Sequence, residues 1–243
     1  MRQLTDFGDE RQRAFCAHCG GATETRDHVP SKVLLDQPYP DNLPIVLSCG
    51  ACNQSFSSDE VYVACLIDCI VAGDPTPGPA HRPKVREILS QKPALAARLA
   101  AARFGQGSAT RFEVELSRVR NVVLKLAKGH ALYELNCPQH DDPAKIDISP
   151  IQDMDESSRE HFERPPALTL WPEAGSRAMQ RLAESYAHEW VVVQPGRYRY
   201  LAYVARVVTV RIVLSEYLAC EVGWADVWPA PRPSARRPTN GCM

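Results

Sequence analysis

Four cysteines close to the start of the chain form two Cys-x-x-Cys pairs, Cys16 with Cys19 and Cys49 with Cys52. In a reducing compartment this spacing favours metal coordination by thiolates over disulfide bonding. Zinc takes four ligands in a tetrahedron, and each Cys-x-x-Cys loop can offer two sulfurs to the same ion. The spacing therefore predicts a structural Zn²⁺ site. The 29 residues between the two pairs leave room for other functional groups.

Polar residues that suit phosphate chemistry lie in this gap and directly after it. Asp27 immediately precedes His28, and Asn42 lies in the sequence Asp-Asn-Leu-Pro. Asn53 immediately follows the last of the four cysteines. An imidazole can deprotonate water near neutral pH, and carboxylate and amide oxygens are ligands of hard cations such as Mg²⁺. A base beside a bound cation is an arrangement that hydrolyses phosphodiesters, so these residues are candidates for such a site.

The order of these residues, DH…N…CxxCN with a second CxxC upstream, resembles the HNH endonuclease family, which has the ββα-metal fold. The likeness is to the zinc-stapled variety of the family and covers roughly residues 12 to 62. It implies that His28 ends the first strand and is the general base that activates water. It also implies that Asp27 and Asn53 hold a catalytic Mg²⁺ or Mn²⁺, and that Asn42 orients the imidazole.

The sequence departs from the family pattern at its last position, where Asn53 replaces the more usual histidine. Amide oxygen is a poorer ligand for softer metals, so Mg²⁺ or Mn²⁺ is the expected catalytic ion. Glu60 lies two turns beyond Asn53 and shares its helix face. It is either a third metal ligand or a salt-bridge partner.

The sequence as a whole predicts an α+β protein. Residues 1–73 are predicted to form the zinc-stapled ββα module. A proline-rich linker is predicted at 74–83, an α+β companion region of unknown role at 84–229 and a disordered tail at 230–243. Within the companion region, helical sequence is interrupted at Pro93, and a second amphipathic helix ends near Leu135. Runs rich in Val and Tyr flank Gln-Pro-Gly at 194–196 and predict antiparallel strands.

Charge is distributed unevenly along the chain, although the formal net charge is only −1. Residues 1–73 carry five Lys and Arg against ten Asp and Glu, whereas residues 82–130 carry eleven against three. A basic segment suits contact with phosphates, although such runs also form solvated helix faces. The residues predicted to form the wall of a nucleic-acid groove are Lys84, Arg86, Arg118, Arg120, Lys125 and Lys128.

The resemblance thus predicts a metal-dependent endonuclease that hydrolyses a phosphodiester backbone, with DNA as the expected partner. The alternative is a catalytically inactive zinc-stapled module that binds nucleic acid or serves as an adaptor. The apolar runs are shorter than the roughly 20 residues of a membrane-spanning helix, and the charged N-terminus lacks the apolar stretch of a signal peptide. The expected location is cytoplasmic, without membrane contact, and the oligomeric state is left open.

Overall fold

The computed structural model of the chain describes residues 4–105, 110–167 and 169–226. Its helices are α1 Gly50–Ala72, α2 Pro83–Gln91, α3 Pro93–Ala102, α4 Leu116–Leu135, α5 Glu156–Glu163 and α6 Arg177–Ser185. Its strands are β1 Thr25–His28, β2 Ile45–Ser48, β3 Arg103–Phe104, β4 Arg111–Phe112, β5 Lys145–Pro150, β6 Val191–Gln194, β7 Tyr198–Val204, β8 Val207–Leu214 and β9 Leu218–Asp226. The predicted α+β class is confirmed. The predicted disordered tail at 230–243 lies outside the described residues.

Strands β1 and β2 form an antiparallel hairpin that leads directly into α1. Asp27 lies opposite Val46 and His28 opposite Ile45. Helix α1 begins after Cys49, whose sulfur accepts a hydrogen bond of 3.3 Å from the backbone N–H of Cys52. The chain therefore passes from the hairpin to the helix within two residues, and this short connection determines how the second cysteine pair faces the hairpin.

Helix α4 is central to the fold because it packs against α1 on one side and against the large sheet on the other. Its apolar residues Val122, Val123 and Leu126 are buried, and they join one hydrophobic cluster with residues of α1 and of β7 to β9. An amphipathic surface helix would expose one face to solvent. Residues 125–132 of α4 are instead buried in succession, because neighbours cover the helix from both sides.

The C-terminal region forms a five-stranded sheet in the order β5-β9-β8-β7-β6, and each neighbouring pair is antiparallel. The predicted turn at Gln-Pro-Gly joins β6 to β7, and Gly196 has a positive φ of 71° that favours glycine. The predicted break at Pro93 is also confirmed, since α2 ends at Gln91 and α3 begins at Pro93. These local sequence signals positioned the elements correctly.

The segment predicted as a linker, 74–83, is not a free spacer at its C-terminal end. His81 and Arg82 are both buried. The Arg82 guanidinium donates hydrogen bonds of 3.1 Å to Asp68 in α1 and 3.3 Å to the carbonyl of Leu35. A buried, paired guanidinium attaches this segment to both α1 and the loop after β1. The predicted division into domains stays a prediction.

Helix α4 packs tightly at Gly129 against the residue that follows β1. A Cβ atom at this position would lie 2.6 and 2.9 Å from the two methyl carbons of Val29, the residue after His28. We expect Gly129→Ala to lower the free energy of unfolding by about 1–3 kcal/mol, because overpacking a tight core contact forces the chain to shift. Denaturant unfolding measures this loss.

The matched control for that substitution is Gly223→Ala in β9, where the nearest atoms to an added Cβ lie 3.9 Å away. This separation is an ordinary van der Waals contact, so the control variant should unfold at or above the wild-type denaturant concentration. Equal loss of stability in the two variants would contradict a close contact between α4 and Val29.

Candidate functional site

The four predicted zinc ligands, Cys16, Cys19, Cys49 and Cys52, come together at the base of the β1–β2 hairpin. Their sulfur atoms all lie within 4.8 Å of one another, and those of Cys19 and Cys49 are 3.9 Å apart. Sulfurs bound tetrahedrally to one zinc ion at about 2.3 Å are about 3.8 Å from each other. The donor set and its spacing therefore fit a structural Zn²⁺.

The thiol acidities of this cluster also suit a cation. Burial raises the pKa of the Cys16 thiol, but backbone N–H groups of Cys49, His18 and Cys19 outweigh this effect and lower the pKa to about 6. Burial and the neighbouring sulfurs raise the pKa of Cys52 above its ordinary value. The Cys16 thiolate thus forms readily, whereas the neighbouring sulfurs oppose the deprotonation of Cys52. A divalent cation relieves this opposition because it neutralises the accumulating charge.

A buried ionic cluster lies next to the four cysteines and centres on Lys125 of α4. Lys125 is only 2% exposed, and its ammonium donates to Asp27 of β1 at 2.8 Å. It also donates to Ser31 at 2.8 Å and to the carboxylate of Glu60 in α1. The second carboxylate oxygen of Asp27 hydrogen-bonds the His18 ring at 3.0 Å. We call these five residues the Lys125 cluster.

The Lys125 cluster keeps Asp27 ionised. Burial raises the pKa of the Asp27 carboxyl, but the hydrogen bond from His18 and the charge of Lys125 outweigh that effect and hold the pKa below its ordinary value. Asp27 is therefore a buried carboxylate whose two oxygens already have cationic or hydrogen-bonding partners. Such a group stabilises its surroundings and is poorly placed to accept another ligand.

His28 is the last residue of β1, where side chains alternate between the two faces of the strand. Asp27 is directed into the protein, and the half-buried His28 lies on the other face, which it shares with the exposed Arg26. Burial lowers the pKa of the His28 imidazole, and the charge of the exposed Lys32 adds to this effect. The ring is therefore neutral near pH 7, which is the form that accepts a proton.

The two predicted asparagines lie on either side of the second cysteine pair. Asn53, half-buried in the first turn of α1, donates from its amide nitrogen to the hydroxyl of Thr25 at 3.2 Å. Asn42 lies half-buried in the loop before β2. The alternative for Glu60 that makes it a salt-bridge partner fits the structure, since its carboxylate pairs with Lys125.

The candidate Mg²⁺ ligands do not fit a divalent ion in this arrangement. Both carboxylates, Asp27 and Glu60, bind the same buried ammonium. Mg²⁺ requires several oxygen ligands at about 2.0–2.1 Å in near-octahedral geometry. Among the described residues, the cysteines form the one group of three or more His, Cys, Asp or Glu side chains whose ligand atoms converge. In this arrangement Asp27 and Glu60 are therefore paired with an ammonium.

The predicted groove wall requires a correction at two of its lysines. Lys125 and Lys128 are 2% and 8% exposed and lie inside the protein. The Lys128 ammonium donates to the backbone carbonyls of His18 at 3.3 Å and His140 at 3.0 Å. Neither lysine can contact a nucleic acid. They were assigned to a surface because α4 was expected to have a solvated face, whereas it is covered on both sides.

The other four predicted groove residues are divided between two helices. Arg118 is half-buried, pairs with Asp59 at 2.6 Å and stacks on the Tyr62 ring. Lys84 pairs with its neighbour Glu87 at 3.1 Å. Arg86 in α2 and Arg120 in α4 are exposed. The charge count of residues 82–130 therefore overstated the basic surface, because part of that charge balances carboxylates of α1.

Three contributors to the site were not predicted from the sequence: His18, Ser31 and the structural role of Lys125. Lys125 is 98 residues away from Asp27, so no local spacing relates the two. His18 lies within the first cysteine loop, where its bond to Asp27 depends on how the hairpin folds. A possible signal was the excess of acidic over basic residues in 1–73, which requires cations from elsewhere if some carboxylates are buried.

Comparisons with protein-family models, with curated proteins and with solved structures find no match to this chain. Within the described ranges, no helix has the length and apolar character needed to cross a membrane. The chain is thus an α+β protein with a four-cysteine cluster suited to zinc.

Proposed function

We propose that the chain hydrolyses phosphodiester bonds of a nucleic acid, with DNA as the expected substrate and His28 as the general base. The observation that carries the proposal is the half-buried imidazole at the end of a strand held beside the four-cysteine cluster. Its lowered pKa keeps it neutral and able to accept a proton near pH 7. The resemblance of DH…N…CxxCN to the HNH endonucleases supports the same bond as the target and the same residue as the base, although that resemblance also implies a metal ion.

The reaction begins when His28 accepts a proton from a water molecule held near its ring. The water oxygen then forms a bond to phosphorus, and the bond from phosphorus to the leaving oxygen breaks in line with it. The leaving oxygen takes a proton from solvent. Burial and the charge of Lys32 lower the pKa of His28, and the negative charge of the neighbouring Asp27 opposes part of this effect, so Asp27 favours the imidazolium that forms.

Exposed cations on the face of His28 support phosphate binding. Arg26 shares this face of β1. The exposed Lys32 lies four residues after His28, and its ammonium is 5.6 Å from the centre of the Tyr39 ring. Positive groups near a phosphate stabilise the charge that develops on its oxygens. These two residues replace the buried Lys125 and Lys128 as candidate phosphate contacts, together with the exposed Arg86 and Arg120 farther along the chain.

The test of the proposed base is His28→Ala in the zinc-loaded full chain. We expect cleavage of plasmid and oligonucleotide substrates to fall by about 10²–10⁴-fold, which is the usual contribution of a general base. The matched control is His161→Ala, which removes an exposed histidine of α5 and should cleave like wild type. Zinc content and circular dichroism establish that both variants fold. Undiminished cleavage by His28→Ala would rule out this base.

The second candidate function is a zinc-stapled module that binds nucleic acid or a protein partner without catalysis. The buried pairing of Asp27 and Glu60 with Lys125 favours it, because the two carboxylates that a metal nuclease would use are already neutralised. A substrate panel separates the two functions. Binding without cleavage of single- or double-stranded DNA or RNA would favour the second.

A further inference from the structure

Lys125 pairs with Asp27, one of the two residues that the resemblance assigns to a catalytic metal ion, and with Glu60, the candidate third ligand. We propose that its ammonium is the permanent cation of this site, so that the site binds neither Mg²⁺ nor Mn²⁺. The inference rests on the proposed function for the identity of the site. It concerns which cation the chain uses, and it is tested through ion binding rather than through cleavage.

The hydrogen-bonding capacity of the Lys125 ammonium is saturated. A lysine side chain has three N–H donors, and the three acceptors around Lys125 are Asp27, Ser31 and Glu60. The Ser31 hydroxyl in turn donates to Glu60. Each donor of the ammonium thus has an acceptor, and the side chain is 1% exposed. The arrangement is a completed hydrogen-bond network rather than a partly filled cavity.

An incoming ion would have to displace the Lys125 ammonium, a competitor that is covalently attached to the chain. Mg²⁺ gives up its water shell reluctantly, and Mn²⁺ would meet the same two carboxylates. Either ion would move the ammonium into a buried environment without its acceptors, and an unpaired buried charge is strongly unfavourable. Lys125 has no comparable cost of displacing another cation, because folding itself positions its ammonium between the two carboxylates.

Contacts on either side of Lys125 determine the position of α4 along α1. Asp59, next to Glu60, accepts from Arg118 at 2.6 Å and from Asn121 at 2.8 Å, both on α4. On the other side of Lys125, Gly129 allows α4 to approach Val29. Asn121 and Gly129 lie one turn before and one turn after Lys125. The lysine is therefore held in place by its helix.

The experiment is a titration of the zinc-loaded full chain with Mn²⁺, followed by the loss of the electron paramagnetic resonance signal of free Mn²⁺. We expect wild type to show no Mn²⁺ binding that depends on Asp27. Lys125→Met removes the ammonium and leaves both carboxylates, so its Mn²⁺ affinity should rise by about 10-fold or more, equivalent to about 1.4 kcal/mol. The matched control is Lys128→Met, which removes a buried ammonium one turn farther along α4 and should leave Mn²⁺ binding as in wild type.

Wild type and Asp27→Asn together can overturn the inference, even if Lys125→Met does not fold. Mn²⁺ binding by wild type that disappears in Asp27→Asn would show that the ion reaches these carboxylates. Failure of the proposed function gives a different result, namely no cleavage of any nucleic acid by a protein that also binds no Mn²⁺. Cleavage that persists when Mg²⁺ and Mn²⁺ are withheld from the zinc-loaded chain is the result expected if both the function and the inference hold.

Discussion

Removal of zinc is expected to unfold the region around the β1–β2 hairpin and to produce the largest loss of stability of any single change to this chain. Each strand of the hairpin has only four residues, and an isolated two-stranded hairpin is marginal in water. Structural zinc contributes apparent free energies of about 10–16 kcal/mol in small zinc-binding peptides. That range is comparable to the entire unfolding free energy of a typical domain, about 5–15 kcal/mol.

The measurement is thermal unfolding of the zinc-loaded chain, of the chelated chain and of Cys52→Ser, with zinc content determined for each. Chelation and Cys52→Ser should both lower the melting temperature and increase hydrogen exchange in β1, β2 and the first turns of α1. Cys137→Ser is the matched control, because Cys137 is half-buried and lies outside the four-cysteine cluster. If the chelated chain has the same melting temperature as the zinc-loaded chain, the cysteines do not hold a structural ion.

The sequence predicted those parts of the site that depend on residues close together in the chain. Cysteine spacing predicted that four sulfurs converge, and the structure brings them together. Pro93 marked the start of α3, and Gln-Pro-Gly marked the hairpin between β6 and β7. Each of these signals acts within a few residues, through a forbidden dihedral, a missing N–H or the reach of a short loop. Their outcome therefore does not depend on the rest of the fold.

The Lys125 cluster could not be predicted in this way, because it depends on how α4 packs. Periodicity shows that a helix has an apolar side, but it does not show how many neighbours cover the polar side. In α4 the sheet covers one side, while α1 and the hairpin cover the other. Lys125 and Lys128 consequently become internal charges. The buried carboxylates of Asp27 and Glu60 give Lys125 a counter-charge, which a count of surface charge cannot reveal.

Loss of the Lys125 ammonium is expected to be the most destabilising single substitution outside the zinc ligands. Lys125→Met preserves the length of the side chain but leaves Asp27 and Glu60 as buried negative charges with one cation removed. Breaking a buried ion pair from one side costs about 3–5 kcal/mol, because the remaining charge stays desolvated. Urea unfolding at neutral pH measures this loss. The surface control is Lys145→Met, whose ion pairs with Asp147 and Glu221 belong to a half-exposed lysine and should contribute about 0–1 kcal/mol.

A charge-neutral triple variant distinguishes lost electrostatic balance from lost packing. Asp27→Asn, Glu60→Gln and Lys125→Met together remove both carboxylates and the ammonium while nearly preserving side-chain volume. Replacing a whole buried ion cluster by uncharged groups of similar shape is often close to neutral, so the triple variant should recover much of the stability that Lys125→Met loses. If the triple variant is no more stable than Lys125→Met, the loss comes from packing around α4. In that case the ammonium does not act as the counter-charge for Asp27 and Glu60.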